Sequence, residues 1–170
     1  MPVQRLNHAV LYVRDVERSL AFYRDVLGFR VTMEIPQRAV FLQAEGSTND
    51  HDLGLFAIGA HAGASQAGRG TVGLYHLAWE VDTLAELARI RDALMSAGAL
   101  VGMSDHATTK ALYAQDPDGI EFEVSWLLPA HLITPEVTEG AAMTAPLDLD
   151  REIERYGART RGGIGVSVPV

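Results

Sequence analysis

The chain repeats itself, and that limits its fold more than any other feature. Leu6-Asn7-His8-Ala9-Val10-Leu11-Tyr12-Val13 returns as Leu74-Tyr75-His76-Leu77-Ala78-Trp79-Glu80-Val81, a shared Leu-x-His-x-x-x-x-Val pattern 68 residues further on. Self-similarity over such a distance means that one supersecondary unit is used twice. Both octets alternate sides as strands do. Each is followed by apolar positions at helical spacing: Val16, Leu20, Tyr23 and Leu27, then Leu84, Leu87, the stem of Arg91, and Leu94. Asp15 can cap the first helix, Thr83 with Glu86 forms a capping-box pattern for the second, and Gly28 and Gly98 stand where a helix would stop. Arg38-Ala39-Val40-Phe41-Leu42-Gln43 then parallels Lys110-Ala111-Leu112-Tyr113-Ala114-Gln115 at an offset of 72. Each copy closes on a β-rich run, residues 53–58 and 120–127, the second entered through the turn Asp116-Pro117-Asp118-Gly119.

The unit is therefore strand, helix, three strands. The expectation is an α+β fold of tandem βαβββ modules, 3–59 and 71–128, forming a curved mixed sheet in one domain, 1–128. A Gly/Ala-rich linker, 59–70, joins the modules. Residues 129–170 fall outside the repeat. They read as a loop to about Pro146, a short helix with Leu149, Ile153 and Tyr156 on one side, and a Gly-containing end. Such an extension serves as a packing arm, a dimer-swapped tail or a lid.

Composition narrows the function classes. With 48% hydrophobic and 21% charged residues in 170, the chain has the balance of a folded globular protein. A formal charge of -8 speaks against nucleic acid as a partner, because phosphate binding needs clustered Lys and Arg. No cysteine is present, so any metal must be held by nitrogen and oxygen. The sequence shows neither a signal-peptide pattern nor a long apolar run, which makes the cytoplasm the expected compartment and a membrane an unexpected partner.

Tandem modules with a histidine in each first strand resemble the vicinal-oxygen-chelate superfamily, which includes glyoxalase I, extradiol dioxygenases, fosfomycin-resistance proteins and bleomycin-binding proteins. The resemblance covers residues 5–127. Its most specific piece is Asp116-Pro117-Asp118-Gly119-Ile120-Glu121-Phe122-Glu123. This is similar to the superfamily's Asp-Pro-x-Gly-x-x-x-Glu segment, whose last glutamate binds metal. The resemblance thus implies Glu123 as a ligand beside His8 and His76, with Glu121 the weaker candidate. Taken singly, a strand histidine reads as packed or exposed and a glutamate after a turn as solvated; their coincidence with the repeat favours metal. If the modules pair about a pseudo-twofold axis, two imidazoles and one carboxylate make a facial triad with positions open for substrate and oxygen, as in non-heme Fe(II) oxygenases. The implied cofactor is Fe(II), with Mn(II) or another divalent metal as the alternative.

Many members with four ligands take one from the end of the first module, where Leu53-Gly54-Leu55-Phe56-Ala57-Ile58 holds no carboxylate. The remaining set favours extradiol cleavage of a catechol-type diol by O2. Resemblance to catechol 2,3-dioxygenases then implies three more roles. His51, in His51-Asp52-Leu53-Gly54-Leu55-Phe56, would act as acid/base. Tyr113, ten residues before Glu123, would hydrogen-bond the substrate. His106, in Asp105-His106-Ala107-Thr108-Thr109-Lys110, would bind it, although it lies nearer Tyr113 than in two-domain members. An imidazole titrating near neutrality suits proton transfer, and a tyrosine hydroxyl can hold a catecholate oxygen. On local grounds His51, among Asn49, Asp50 and Asp52, reads equally as a solvated loop residue, and Tyr113 as a core aromatic. Phe41, Phe56, Phe122, Trp79 and Trp126 read as core before substrate wall. The superfamily also implies a homodimer. Two other readings compete: a glyoxalase-, epimerase- or thiol-transferase-like enzyme using Zn, Ni, Co or Mn, and a metal-free antibiotic-binding protein.

Overall fold

The computed structural model describes residues 2–3, 5–68, 70–139, 144–163 and 166–167. The strand–helix–three-strand unit occurs twice. The first copy comprises β1 (Ala9–Val13), α1 (Val16–Asp25), β2 (Arg30–Ile35), β3 (Ala39–Gln43) and β4 (Leu53–Ala57), in a four-stranded sheet ordered β1-β4-β3-β2. The second comprises β5 (Leu77–Glu80), α2 (Leu84–Ser96), β6 (Leu100–Asp105), β7 (Thr109–Gln115) and β8 (Glu121–Leu127). A short β9 (Ala145–Pro146) completes a sheet ordered β5-β8-β7-β6-β9. The first strand of each module runs parallel to its last, β1 with β4 and β5 with β8, while the remaining pairs are antiparallel. A parallel neighbour needs a long crossover, supplied in each module by the helix and the hairpin. The mixed α+β architecture of the repeat is thus realised as two sheets, one per module.

The chain forms two compact units, Met1–Gln66 with Asp116–Gly119, and Ala67–Gln115 with Ile120–Val170. Local signals set the helix ends. The Asp15 carboxylate accepts from the backbone N–H groups of Glu17 and Arg18, and the Thr83 hydroxyl from that of Glu86, satisfying donors that a helix start leaves open. Gly28 and Gly98 adopt φ of 78° and 64°, the left-handed turn that stops each helix. The buried stripes differ from expectation at two positions in the first helix and one in the second. In α1, Ser19 is buried where Leu20 is only part-buried, and Leu27 lies beyond the helix end and is part-buried. In α2, Ile90 lies in the core while Arg91 pairs with Asp92 and Asp150.

The turn Asp116–Gly119 belongs to the first unit. Asp118 accepts from the backbone N–H of Arg14 at 2.9 Å and from the Arg14 and Arg18 guanidinium groups at 2.8 and 2.6 Å. Burial acts to raise the Asp118 pKa, but these donors together outweigh it and hold the carboxyl below its ordinary value. Beside it the buried Tyr23 hydroxyl donates to Asp116 at 3.2 Å.

The extension is more structured than a loop. Before α4 (Leu149–Tyr156) it forms a 3-10 turn over Ala130–Leu132, a short α3 (Pro135–Thr138) that starts on a proline, and β9. Residues 140–143, 164–165 and 168–170, including part of the Gly-containing end, lie outside the described residues. Asp148 caps α4. Leu149 is buried and Ile153 and Tyr156 are part-buried, but Glu152 is buried as well. At Gly162 the chain passes so close to the Leu127 carbonyl that there is no room for a Cβ. Among the described residues no helix is long and apolar enough to cross a membrane.

Candidate functional site

Both histidines expected to be ligands stand immediately before their strands, which corrects the expectation that they lie within them. The β1 ladder opens at Ala9, whose N–H donates to the Asp52 carbonyl, so His8 is the last residue outside it; β5 opens at Leu77, just after His76.

In the first unit His8 is exposed and its ring lies against that of His51, centroids 4.4 Å apart and planes tilted by 38°. Phe41 meets His51 edge-on at 5.1 Å. The loop that carries His51 is braced by Asp52, which accepts from the Ala44 N–H, the Ser47 hydroxyl and the Asn49 amide. His51 Nδ1 lies 3.0 Å from the exposed Asp50 carboxylate. That hydrogen bond is the main reason the Asp50 pKa lies below its ordinary value. Because a carboxylate only accepts, Nδ1 carries the proton and Nε2 of neutral His51 offers a lone pair.

In the second unit strand pairing builds a row of polar groups. Glu123 on β8 lies opposite Ala78 of β5 on one side and Tyr113 of β7 on the other. His76 Nε2 approaches the Glu123 carboxylate at 3.3 Å. Tyr113 faces Glu123 across the ladder, and its hydroxyl lies 2.9 Å from His106 Nε2. The row therefore reads His76, Glu123, Tyr113, His106. Burial, followed by the charge and hydrogen bond of Glu123, pushes the Tyr113 pKa up to about 12, so its hydroxyl keeps its proton near neutrality. Glu121 sits opposite Gln115, two residues before Glu123 on the same strand.

His76 and Glu123 suit a divalent cation. Imidazole nitrogen and carboxylate oxygen are the donors such ions take, and His76 Nδ1 is buried with no hydrogen-bond partner, a state that a bound group or a shift of the ring resolves. Among the described residues no group of three or more His, Asp or Glu is close enough to hold a metal. The structure brings His76 and Glu123 together in the second unit, and His8 belongs to the first.

The sheet registers match the modules residue by residue. Gly54 lies opposite Val10 and Phe41, as Glu123 lies opposite Ala78 and Tyr113. Gly54 thus holds the place of Glu123, and Phe41 that of Tyr113. Phe122 and Trp126 are core residues, whereas Phe41, Phe56 and Trp79 are part-buried.

Sequence reasoning passed over a buried charge cluster beside His106. Lys110, 1% exposed, contacts Asp105 at 2.6 Å, the Ala107 carbonyl at 3.1 Å and Glu152 at 2.9 Å, the last close but poorly aligned as a hydrogen bond. The signals were a lysine opening an apolar strand run and a glutamate three residues after Leu149 on the inner side of α4.

Comparison with known proteins agrees with this construction. Residues 5–124 match the Glyoxalase/Bleomycin resistance protein/Dioxygenase superfamily, and the chain belongs to that family. It is 33% identical over 119 residues to a catechol-2,3-dioxygenase of Bacillus subtilis (strain 168), covering 70% of this chain but only 40% of that protein's length. It is 30% identical over 123 residues to a lactoylglutathione lyase of Salmonella typhimurium, covering 71% of this chain and 90% of the lyase. The solved structure of a glyoxylase/bleomycin resistance protein/dioxygenase domain from Frankia sp. EAN1pec aligns with a TM-score of 0.59 at 20% identity. That alignment covers 73% of this chain and 92% of the other, and it speaks for the fold alone.

Proposed function

We propose that the protein is an extradiol ring-cleaving dioxygenase, in which His8, His76 and Glu123 hold Fe(II), or Mn(II) or another divalent metal in its place, and O2 is inserted into a small catechol-type diol. The observation that carries this reading is the row His76, Glu123, Tyr113, His106, which sets two proton-handling side chains directly beside a nitrogen–oxygen ligand pair. A bound Fe(II) would supply charge that favours loss of the diol protons and a redox centre for dioxygen. Both oxygen atoms enter the product, so no external reductant is needed.

The chain's own residues handle the protons. Tyr113 stays protonated, so its hydroxyl can hold a diol oxygen beside the Glu123 carboxylate. His106 contacts Tyr113 and serves to bind the diol. His51, with Nδ1 turned to Asp50, has Nε2 available to take a proton from the incoming diol and return it to the ring-opened product. This reading includes a homodimer in the cytoplasm.

Protein loaded with Fe(II) without oxygen is then mixed with substituted catechols under oxygen. Stoichiometric oxygen uptake and the visible absorbance of a ring-opened semialdehyde are expected; no uptake with any catechol overturns the proposal. A second reading, a lyase acting on lactoylglutathione or a related thioester, is favoured by the 90% coverage of the Salmonella protein. Gly54, in the place of a second carboxylate, counts against a four-ligand site of that kind. Turnover of lactoylglutathione by Zn- or Ni-loaded protein, without oxygen uptake, would decide for it.

A further inference from the structure

The hairpins β2–β3 and β6–β7 differ at their tips. Since Phe41 matches Tyr113, the last ladder pair of the first hairpin, Ile35 with Ala39, matches Ser104 with Ala111. The second hairpin continues one pair further, through Asp105 and Lys110, before its turn. In that turn Ala107 adopts φ of 65°, a left-handed conformation that is costly for a residue with a Cβ and persists only where its surroundings hold it.

The extra pair does the holding. Asp105 Oδ1 accepts from the Ala107 N–H at 2.8 Å, and Lys110 Nζ donates to the same oxygen at 2.6 Å and to the Ala107 carbonyl at 3.1 Å. Both backbone polar groups of Ala107 are thus tied to the Asp105–Lys110 pair. His106 stands between them, and the turn carries its ring to 2.9 Å from the Tyr113 hydroxyl. The extension also reaches the ring directly, the Thr144 hydroxyl lying 3.4 Å from Nδ1.

Lys110 is 1% exposed, whereas Arg38, which holds its place in the first module, is exposed. An ammonium withdrawn from water needs opposite charge close by. Asp105 supplies one carboxylate, and Glu152 of α4, itself 5% exposed, supplies the other at 2.9 Å. One turn further along α4 the Tyr156 ring lies 5.8 Å from the same nitrogen. The first module has neither the extension nor the buried cation.

We infer that Glu152 is a positioning residue that acts through Lys110. Its carboxylate holds the buried ammonium against the Asp105–Ala107 turn and so fixes His106 beside Tyr113. The extension is then a working part of the site and more than a packing arm. The effect on turnover rests on the dioxygenase reading; the placement of His106 does not.

The test uses full-length protein with 15N-labelled histidine, the His106 ring signals being assigned by their loss in His106→Gln. Glu152→Gln keeps the side chain's shape and removes its charge. It is expected to move the His106 ring signals and to leave those of His8 and His51 in place. In catechol turnover it should raise KM about threefold to tenfold, the range of one ordinary hydrogen bond, with kcat within about twofold. In a His106→Gln background the same substitution should change KM no further, because residues that act as one unit are not additive. Glu152→Gln combined with Ala107→Gly guards against a variant that folds poorly, since glycine takes the left-handed turn without strain. That pair should regain stability in urea while the His106 signals and KM stay displaced. His106 signals unmoved by Glu152→Gln, their recovery with Ala107→Gly, or a KM effect undiminished in His106→Gln overturns the inference. Signals that move as expected in protein that cleaves no catechol support the positioning role and reject the dioxygenase reading instead.

Discussion

The two modules share one strand order and register, yet differ at the positions where chemistry is placed. Where the second has Glu123 flanked by His76 and Tyr113, the first has Gly54 with Phe41 across the ladder and the Phe41 and Phe56 rings edge to face at 5.7 Å. A half-buried carboxylate is costly unless polar groups meet it, and the second module sets His76 3.3 Å from it and Tyr113 across the ladder. The first module omits the carboxylate and sets apolar groups around that place, with His51 edge-on to Phe41 and His8 against His51. A duplicated backbone thus need not duplicate a ligand set, because the ladder fixes where a side chain stands and leaves its chemistry free.

Removing the feature that most distinguishes the modules should have the largest effect. Glu123→Ala is expected to lower kcat/KM roughly a thousandfold or more and to reduce bound iron, measured by oxygen uptake and metal analysis. If metal content and activity both survive, the second module is no more a ligand module than the first.

Next comes the charge cluster beside β7. Glu152→Ala leaves the buried Lys110 with only Asp105 as a charged partner, and urea unfolding should show a loss of about 3 kcal/mol. Tyr113→Phe makes β7 resemble β3 at the matched position. It should lower kcat on the order of 100-fold with little change in stability, whereas Phe41→Tyr in the first module should leave kcat within about threefold. Equal effects from the two substitutions would erase the functional distinction.

A smaller effect separates the units by pH. Because the Asp118 pKa is depressed in the folded state, its stabilising contribution is complete above the unfolded value, near pH 4, and is lost as pH falls through the lower folded value. Asp118→Asn should therefore flatten the acid limb of the unfolding curve while changing its neutral-to-alkaline limb little. The smallest effect belongs to Gly54→Ala. A Cβ there meets Val10, Phe56 and Phe41 at 3.5, 3.6 and 3.7 Å, ordinary contact distances, so stability should change by less than about 1 kcal/mol. A large loss would mean that Gly54 is required by space and is more than a missing carboxylate.

Much of this architecture was legible in the chain. The repeat, the alternation of β1 and β5, the caps at Asp15 and Thr83 and the stops at Gly28 and Gly98 are written in residues near one another, and the structure carries them where the pattern puts them. The absence of a carboxylate in residues 53–58 was legible too, although only the ladder identified Gly54 as the matched position. Neither Ser19 in the buried face of α1 nor the placing of His8 and His76 just outside their strands could be read from periodicity, which blurs by a residue at element ends. Lys110 with Glu152, and Thr144 with His106, lay further out of reach, since each joins β7 or the turn before it to an extension 38 or more residues away. Short-range patterning determines which residues become strand or helix, because their hydrogen bonds and apolar faces close locally. Which distant polar groups meet is decided only when the sheet edge, the extension and the buried charges are packed together, since a side chain has no partner until the fold supplies one.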